Sequence, residues 1–278
     1  MVISDHEYAR HFLAHLNYYR LGAYWLPFET DHASHTFHEG VHFKQVIELY
    51  DFDRALRLLA MDAIERFEIS IRGQWAYHLA HKYGPHAYLD ASIFKSNNVH
   101  QRCMRTLQEE LERSKEVFVA HYHKKYTNPE HPPVWAVVEV MSLGQLSKWV
   151  SGLSRGKDRQ AIAKIYGIDE IVLTSFLHHL TIVRNICAHH GRLWNRRFGF
   201  QTKIPRKPIS LHQSLNPQQP RYLYNTLVML EYFMNTISPH HHWKHHLLTM
   251  LDKHPVVDVV AMGFPENWQN LSIWSGEQ

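Results

Sequence analysis

Cysteine is nearly absent: Cys103 and Cys187 are the only two in 278 residues. That is too few for a disulfide framework or a cysteine metal cluster, and it suits a reducing cytosol. No run of about 18 apolar residues suggests a membrane span, and nothing at the N-terminus reads as a signal peptide. The chain also lacks an internal repeat, a low-complexity tail, an H-E-x-x-H motif and any sustained strand-like alternation. Neither sign of charge dominates: 30 Lys and Arg against 26 Asp and Glu leave +4. That balance tolerates a polyanionic partner without demanding one. Histidine is what the chain has in excess, 25 in all, so its charge climbs steeply in mild acid. A hydrophobic fraction of 45% is ordinary for a globular chain, and this length can enclose one sizeable core.

Caps, prolines and apolar spacing predict a row of helices. Ser4 and Glu7 make a capping box for the first, with Tyr8, Phe12, Leu16, Tyr19 and Ala23 on its apolar face and Pro27 at its end. Residues 29–40 are polar and read as a loop. Leu49, Phe52, Leu56, Leu59, Ala63, Phe67 and Ile71 keep one period, which predicts a long helix over residues 43–81. On it Glu68 and Arg72 form an i,i+4 pair and Glu65 shares much of that face. These three are either a surface ion network or a set that steers a catalytic cation or imidazole. Asp51 and Asp53 do not face one another, so they are not a metal pair.

A third helix is expected over residues 99–126. Pro133 then opens a helix carrying Trp135, Val138 and Met141 as core residues, interrupted at Gly144. Its Glu139 is either plain surface or a partner for Arg184 across the bundle. Arg155, Lys157, Arg159 and Lys164 form a basic turn, an RNA path or simply surface. Residues 198–220 hold four prolines and read as an irregular arm, with Lys203, Arg206 and Lys207 available to phosphates. A helix resumes near residue 221, and Pro239 opens the next, which begins with His240–His246. His241 and His245 lie four apart, a spacing that captures divalent metal adventitiously. Residues 1–278 thus read as one all-α domain.

The chemistry concentrates in Thr181-Ile-Val-Arg-Asn-Ile-Cys-Ala-His-His-Gly-Arg-Leu-Trp-Asn-Arg196. Val172, Phe176, Leu180, Val183 and Cys187 form a narrow apolar stripe on the helix that runs into it. Asn185 and His189 share the opposite face, and so does His178. Arg184 and His189 stand five positions apart, about 140° of rotation. Three arrangements can still join them: a long reach by Arg184, fraying at Gly191, or a second copy of the helix. Ile182 and Ile186 would give such a dimer some apolar contact. His190, Arg192, Arg196 and Arg197 add further titratable or cationic groups.

A guanidinium, an amide and an imidazole suffice to cut RNA without a metal. RNA carries its own nucleophile, the 2′-hydroxyl. An imidazole takes its proton or supplies one to the departing 5′ oxygen. A guanidinium braces the charge that grows on the phosphate.

The string from Arg184 to Arg196 resembles the signature of the Abi-like bacterial proteins (abortive infection, AbiD and AbiF type), which belong to the HEPN superfamily. Further stretches resemble that family in order: Leu16-Asn-Tyr-Tyr-Arg-Leu-Gly-Ala-Tyr-Trp25, Tyr50-Asp-Phe-Asp-Arg-Ala-Leu-Arg57 and Ile64-Glu-Arg-Phe-Glu-Ile-Ser-Ile-Arg72. Pro133-Val-Trp135 with Glu139, Ser142-Leu-Gly-Gln-Leu-Ser147 and Met262-Gly-Phe-Pro-Glu-Asn-Trp268 complete the set. The resemblance implies a HEPN-like helical bundle with additional helices, a homodimer with a composite site, and metal-independent RNA cleavage without cofactors. It also implies a role in phage defence or as a toxin, with an antitoxin protein or small RNA as a further partner. Arg184, Asn185 and His189 are then catalytic. His190, Arg192, Arg196, His178, Glu139, Glu65, Glu68 and Arg72 support them or bind RNA. Members often carry a further helix ahead of the Asn-Tyr-Tyr-Arg motif, and here that helix is expected to be absent or truncated.

Two other functional classes remain; composition does not separate the first from the enzyme, but the intact motif favours the enzyme. One is a catalytically inactive HEPN module that binds RNA or a partner protein. The other is a metal-dependent hydrolase built on the histidine pairs 178–179, 189–190 and 240–242, whose activity a chelator would abolish.

Overall fold

The computed structural model describes residues 1–275. Helix α1 (His6–His15) and helix α2 (Tyr18–Trp25) lead into a small antiparallel ribbon, β1 (Glu29–Asp31) with β2 (Thr36–Phe37). Helix α3 (Phe43–Tyr83) follows, then α4 (Asn97–Arg113), α5 (Val117–Lys125), α6 (Val134–Val140), α7 (Leu143–Gly152) and α8 (Gly156–Lys164). Helix α9 (Glu170–Ala188) precedes α10 (Ile209–Ser214), α11 (Leu223–Ile237), α12 (Trp243–Lys253) and α13 (Ser272–Ser275). The fold is all-α, the ribbon being the one paired sheet among the described residues.

The other elements are arranged around α3. Its 41 residues make a rod of about 60 Å. It runs without a break because Leu, Ala, Ile and long polar residues alternate at helical spacing and no proline interrupts them. Helices α2, α6, α8, α9, α11 and α12 all pack on it. At its middle Phe67 meets Tyr166, Phe176 of α9 and Phe233 of α11 in one aromatic cluster. Each such buried ring contributes on the order of 2 kcal/mol through removal from water.

Helix α9 carries the motif. Asp169 caps it by accepting from the Ile171 amide at 2.8 Å. The expected stripe of Val172, Phe176, Leu180, Val183 and Cys187 is buried throughout. By length and composition α9 is apolar enough to cross a membrane, which the sequence reading did not anticipate. Its apolar residues instead fill the core between α3, α7 and α8.

Several helices break where the sequence suggested continuity. The first expected helix is two. Its cap is Asp5, which accepts from Tyr8, and a second start follows at Asn17, whose side chain accepts from the Tyr19 amide. A local cap satisfying the free amides outweighs the continuing apolar period. A ten-residue helix precedes the Asn-Tyr-Tyr-Arg stretch. The third expected helix is likewise two, α4 and α5. The break near Gly144 lies earlier, at Met141–Ser142, where Ser142 and Gln145 form a capping box. Residues 198–220 are irregular apart from α10.

Candidate functional site

Helix α9 closes in a Schellman arrangement. The amide of His190 donates to the Cys187 carbonyl at 3.0 Å and that of Gly191 to Ile186 at 2.8 Å. The residue between cap and glycine must then be left-handed. It is His190, with φ +58°, and not the glycine usual there. Helical geometry thus ends at Ala188, one residue before His189. Asn185, His189 and His190 are exposed and Arg184 is half-buried, so none of the catalytic candidates is sealed inside the core.

The loop after the helix is held from below by a buried polar knot. Asp53 of α3 has no exposed surface. It accepts from the Tyr24 hydroxyl at 2.7 Å and from the Leu193 and Trp194 amides at 3.0 and 2.7 Å. It also pairs with Arg57, whose guanidinium reaches the Gly191 carbonyl at 3.5 Å. Burial raises the Asp53 carboxyl above its ordinary range, while Tyr24, Arg57 and the two amides pull it back. Two more arginines bind the rim. Arg20 donates to the His190 carbonyl at 2.7 Å, and Arg192 to the Ala23 carbonyl at 2.9 Å. Burial disfavours the Arg192 charge, and Asp53 and Tyr24 nearby counter it.

Sequence reasoning gave Asp53, Arg57, Tyr24 and Arg20 no role, although it noted the motifs that contain them. One signal was present. Asp53 and Arg57 stand four apart and in register with Leu49, Leu56 and Ala60, so both charges fall on the buried face of α3. Charges there are rare unless paired.

Above the knot lies a cleft of about 550 Å³, lined by Asn17, Tyr19, Arg20, Ala23, Tyr24, His189, His190, Gly191 and Arg192. It has two arginines and two histidines, and neither Asp nor Glu lines it. Arg184 and Asn185 are not among its walls. The Arg184 guanidinium donates instead to Oδ1 of its neighbour Asn185 at 3.3 Å. Within one chain, then, neither a long reach by Arg184 nor fraying at Gly191 brings it into the cleft of His189.

The supporting candidates divide. His190 and Arg192 line the cleft, and Arg192 also anchors it. Arg196 donates to the Arg192 carbonyl at 3.0 Å and braces the loop from within. His178 is exposed but belongs elsewhere: its ring packs edge-on against Phe200, over a groove that also contains Lys148 and Lys203. A shared helical face over 11 residues still separates side chains by about 16 Å along the axis. Glu68 and Arg72 pair, and Arg72 donates to the Met141 carbonyl at 2.7 Å, tying α3 to the turn between α6 and α7. They make no contact with Arg184 or His189, and Glu65 is exposed. Glu139 is exposed as well, and no ion pair joins it to Arg184. Ile182 and Ile186 are partly buried against the core, so little of them is free for a dimer contact.

Other expectations are corrected: of the three residues read as core on the Pro133 helix, Val138 and Met141 are buried but Trp135 is exposed. Arg159 is no RNA contact, for it is buried against Glu170 and the Leu153 carbonyl. His179 is buried beside Thr226, its Nε2 2.8 Å from the hydroxyl. His241 is buried too, bonded to Asn235 and accepting from the Trp243 amide ahead of α12. It therefore shares no helical face with His245. Among the described residues, no group of three or more His, Cys, Asp or Glu is placed to hold a metal. Cys187 is inert filling, its thiol pushed up to about 12 by burial.

A family profile described as Abi-like protein matches residues 11–195. The chain belongs to the Abi-like family. No curated protein and no solved structure matches it. The family is associated with abortive infection, a form of phage defence. In this Abi-like chain the matched segment contains every member of the knot and of the cleft, from Asn17 to Trp194, and ends before α10.

Proposed function

We propose that the chain is a metal-independent endoribonuclease of the HEPN superfamily, acting in phage defence or as the toxin of a toxin–antitoxin pair. The observation that carries this reading is the end of α9. There an exposed imidazole opens onto a basic cleft free of carboxylates, one helical turn from an amide and a cation, in an Abi-like chain. The 2′-hydroxyl of RNA loses its proton and bonds to the neighbouring phosphorus. The bond from phosphorus to the 5′ oxygen breaks and that oxygen is protonated. The products are a 2′,3′-cyclic phosphate and a 5′-hydroxyl. His189 moves one of these protons, Arg184 braces the phosphorane charge, and Asn185 orients a phosphate oxygen or holds Arg184.

Arg184 lies outside the cleft of its own His189, which favours a homodimer in which each site takes groups from both chains. The expected setting is the cytoplasm, with RNA as substrate and an antitoxin protein or small RNA as the restraint. DNA lacks the attacking hydroxyl and is not cut.

The test is to induce the protein beside its His189→Ala variant and sequence the RNA ends after ligation specific for cyclic phosphates. Wild type should yield new cyclic-phosphate ends and the variant none, with a chelator changing neither. A mixture of Arg184→Ala and His189→Ala chains should regain cutting, since one site per heterodimer is intact. Equal, absent cutting by wild type and variant would leave an RNA- or protein-binding module instead.

A further inference from the structure

The cleft beside His189 carries an aromatic that the cleavage chemistry does not use. Tyr19 is 87% exposed, the most exposed of the large apolar side chains. Its place is fixed: Asn17 caps its amide at 2.8 Å, and its neighbour Tyr18 packs instead on Trp25 at 4.7 Å between centroids. Tyr19 therefore stands at the lip of the cleft on a capped helix start, its ring largely in water and meeting the Tyr18 ring edge-to-face at 5.8 Å between centroids. Behind it are Arg20 and Arg192, each anchored by one hydrogen bond to a carbonyl. A guanidinium has five N–H donors, so both retain donors for an anion.

We propose that this cleft is a nucleobase pocket, in which Tyr19 stacks on one base of single-stranded RNA while Arg20 and Arg192 take the adjoining phosphates beside His189. The proposal rests on the reading that the chain handles RNA, and it names what that RNA must offer. A stacked base must be free of its duplex, so the substrate is single-stranded at this point. Stacking accepts any base, because every base has a π face. The pocket thus selects strandedness more than sequence. Mobile cations alone would hold single and double strands alike; the aromatic lip makes the difference.

The experiment uses the full chain with His189→Ala, so that RNA survives, and a fluorescein-labelled RNA of twelve nucleotides read by anisotropy. Adding Tyr19→Ala should weaken binding roughly 5- to 150-fold, the range that base–aromatic stacking supplies. Adding Tyr19→Trp should restore it, and the slope of affinity against salt should not move. Annealing the RNA to its complement should weaken binding to the level of the Tyr19→Ala chain. Equal affinity with and without the Tyr19 ring, in chains with the same melting curve, would overturn the proposal. So would a complete failure to bind RNA. Cutting by the wild type on the same RNA separates the two readings. If the ring matters for binding but nothing is cut, the pocket stands and the nuclease falls. If RNA is cut and the ring is irrelevant, only the pocket falls.

Discussion

Replacing Asp53 by alanine should cost this protein about 3–5 kcal/mol of stability, the range for removing one partner of a buried ion pair. The reason is what remains behind. The Arg57 guanidinium keeps its charge inside the fold with no counter-ion, and the Tyr24 hydroxyl and the Leu193 and Trp194 amides lose their acceptor. Each orphaned neutral donor adds about 1–3 kcal/mol in principle. Water entering the vacated space satisfies some of them, so the sum is not additive and the ion-pair figure is the working value. For a chain this long, about 2 °C of melting temperature corresponds to 1 kcal/mol, which gives a fall of about 6–10 °C. Asp53→Asn keeps the shape and one acceptor oxygen and should lose on the order of 2 kcal/mol. The exposed Arg10–Glu7 pair supplies the control: Arg10→Ala should stay within about 0.5 kcal/mol of wild type. The assay is calorimetric melting, with amide hydrogen exchange at Leu193 and Trp194 as the local readout. Both amides should exchange faster in the alanine variant. A loss below about 1 kcal/mol, with those amides still protected, would refute the claim that Asp53 holds the loop.

The buried imidazole of His179 predicts acid sensitivity. Burial, with a smaller contribution from His178, pulls it down to about 4 from an ordinary value of 6.5. Between those values the unfolded chain binds a proton there and the folded chain does not. Its contribution is therefore complete above about pH 6.5 and falls as pH drops toward 4, by about 3 kcal/mol at most. Urea unfolding of wild type and His179→Gln across that window should show a shallower slope for the variant; equal slopes would remove His179 as the cause. His190→Gly should raise stability by about 1 kcal/mol, since glycine adopts the positive φ of that position without strain. A lower melting temperature for that variant would mean that the His190 side chain contributes more than its backbone costs.

How much of the site was legible beforehand depends on the range of the interaction. The α9 stripe, the long α3 helix and the Arg184–Asn185–His189 cluster follow from spacing within one helix, and spacing is local. The break at Leu16–Asn17 was missed, and the one at Met141–Ser142 was placed at Gly144, because a single capping side chain competes with an apolar period that carries on regardless. His241 and His178 were misplaced for a related reason. Periodicity gives the angle around a helix, but not where the helix starts or which stretch of irregular chain packs beside it, as Phe200 packs edge-on against the exposed His178.

From residue order alone came the all-α class, the core face of α9 and the chemical identity of its polar end, because side-chain type and helical pitch are properties of the chain itself. What folding added is the cleft. Asn17, Tyr19 and Arg20 stand about 170 positions from His189 and His190, and Asp53 some 140 from the amides it holds. No local rule links such distances. The burial of Asp53 and Arg57, which must find partners or forfeit several kcal/mol, joins the core packing of Leu21, Tyr24, Leu193 and Trp194 in bringing α2, α3 and the loop after α9 to one place.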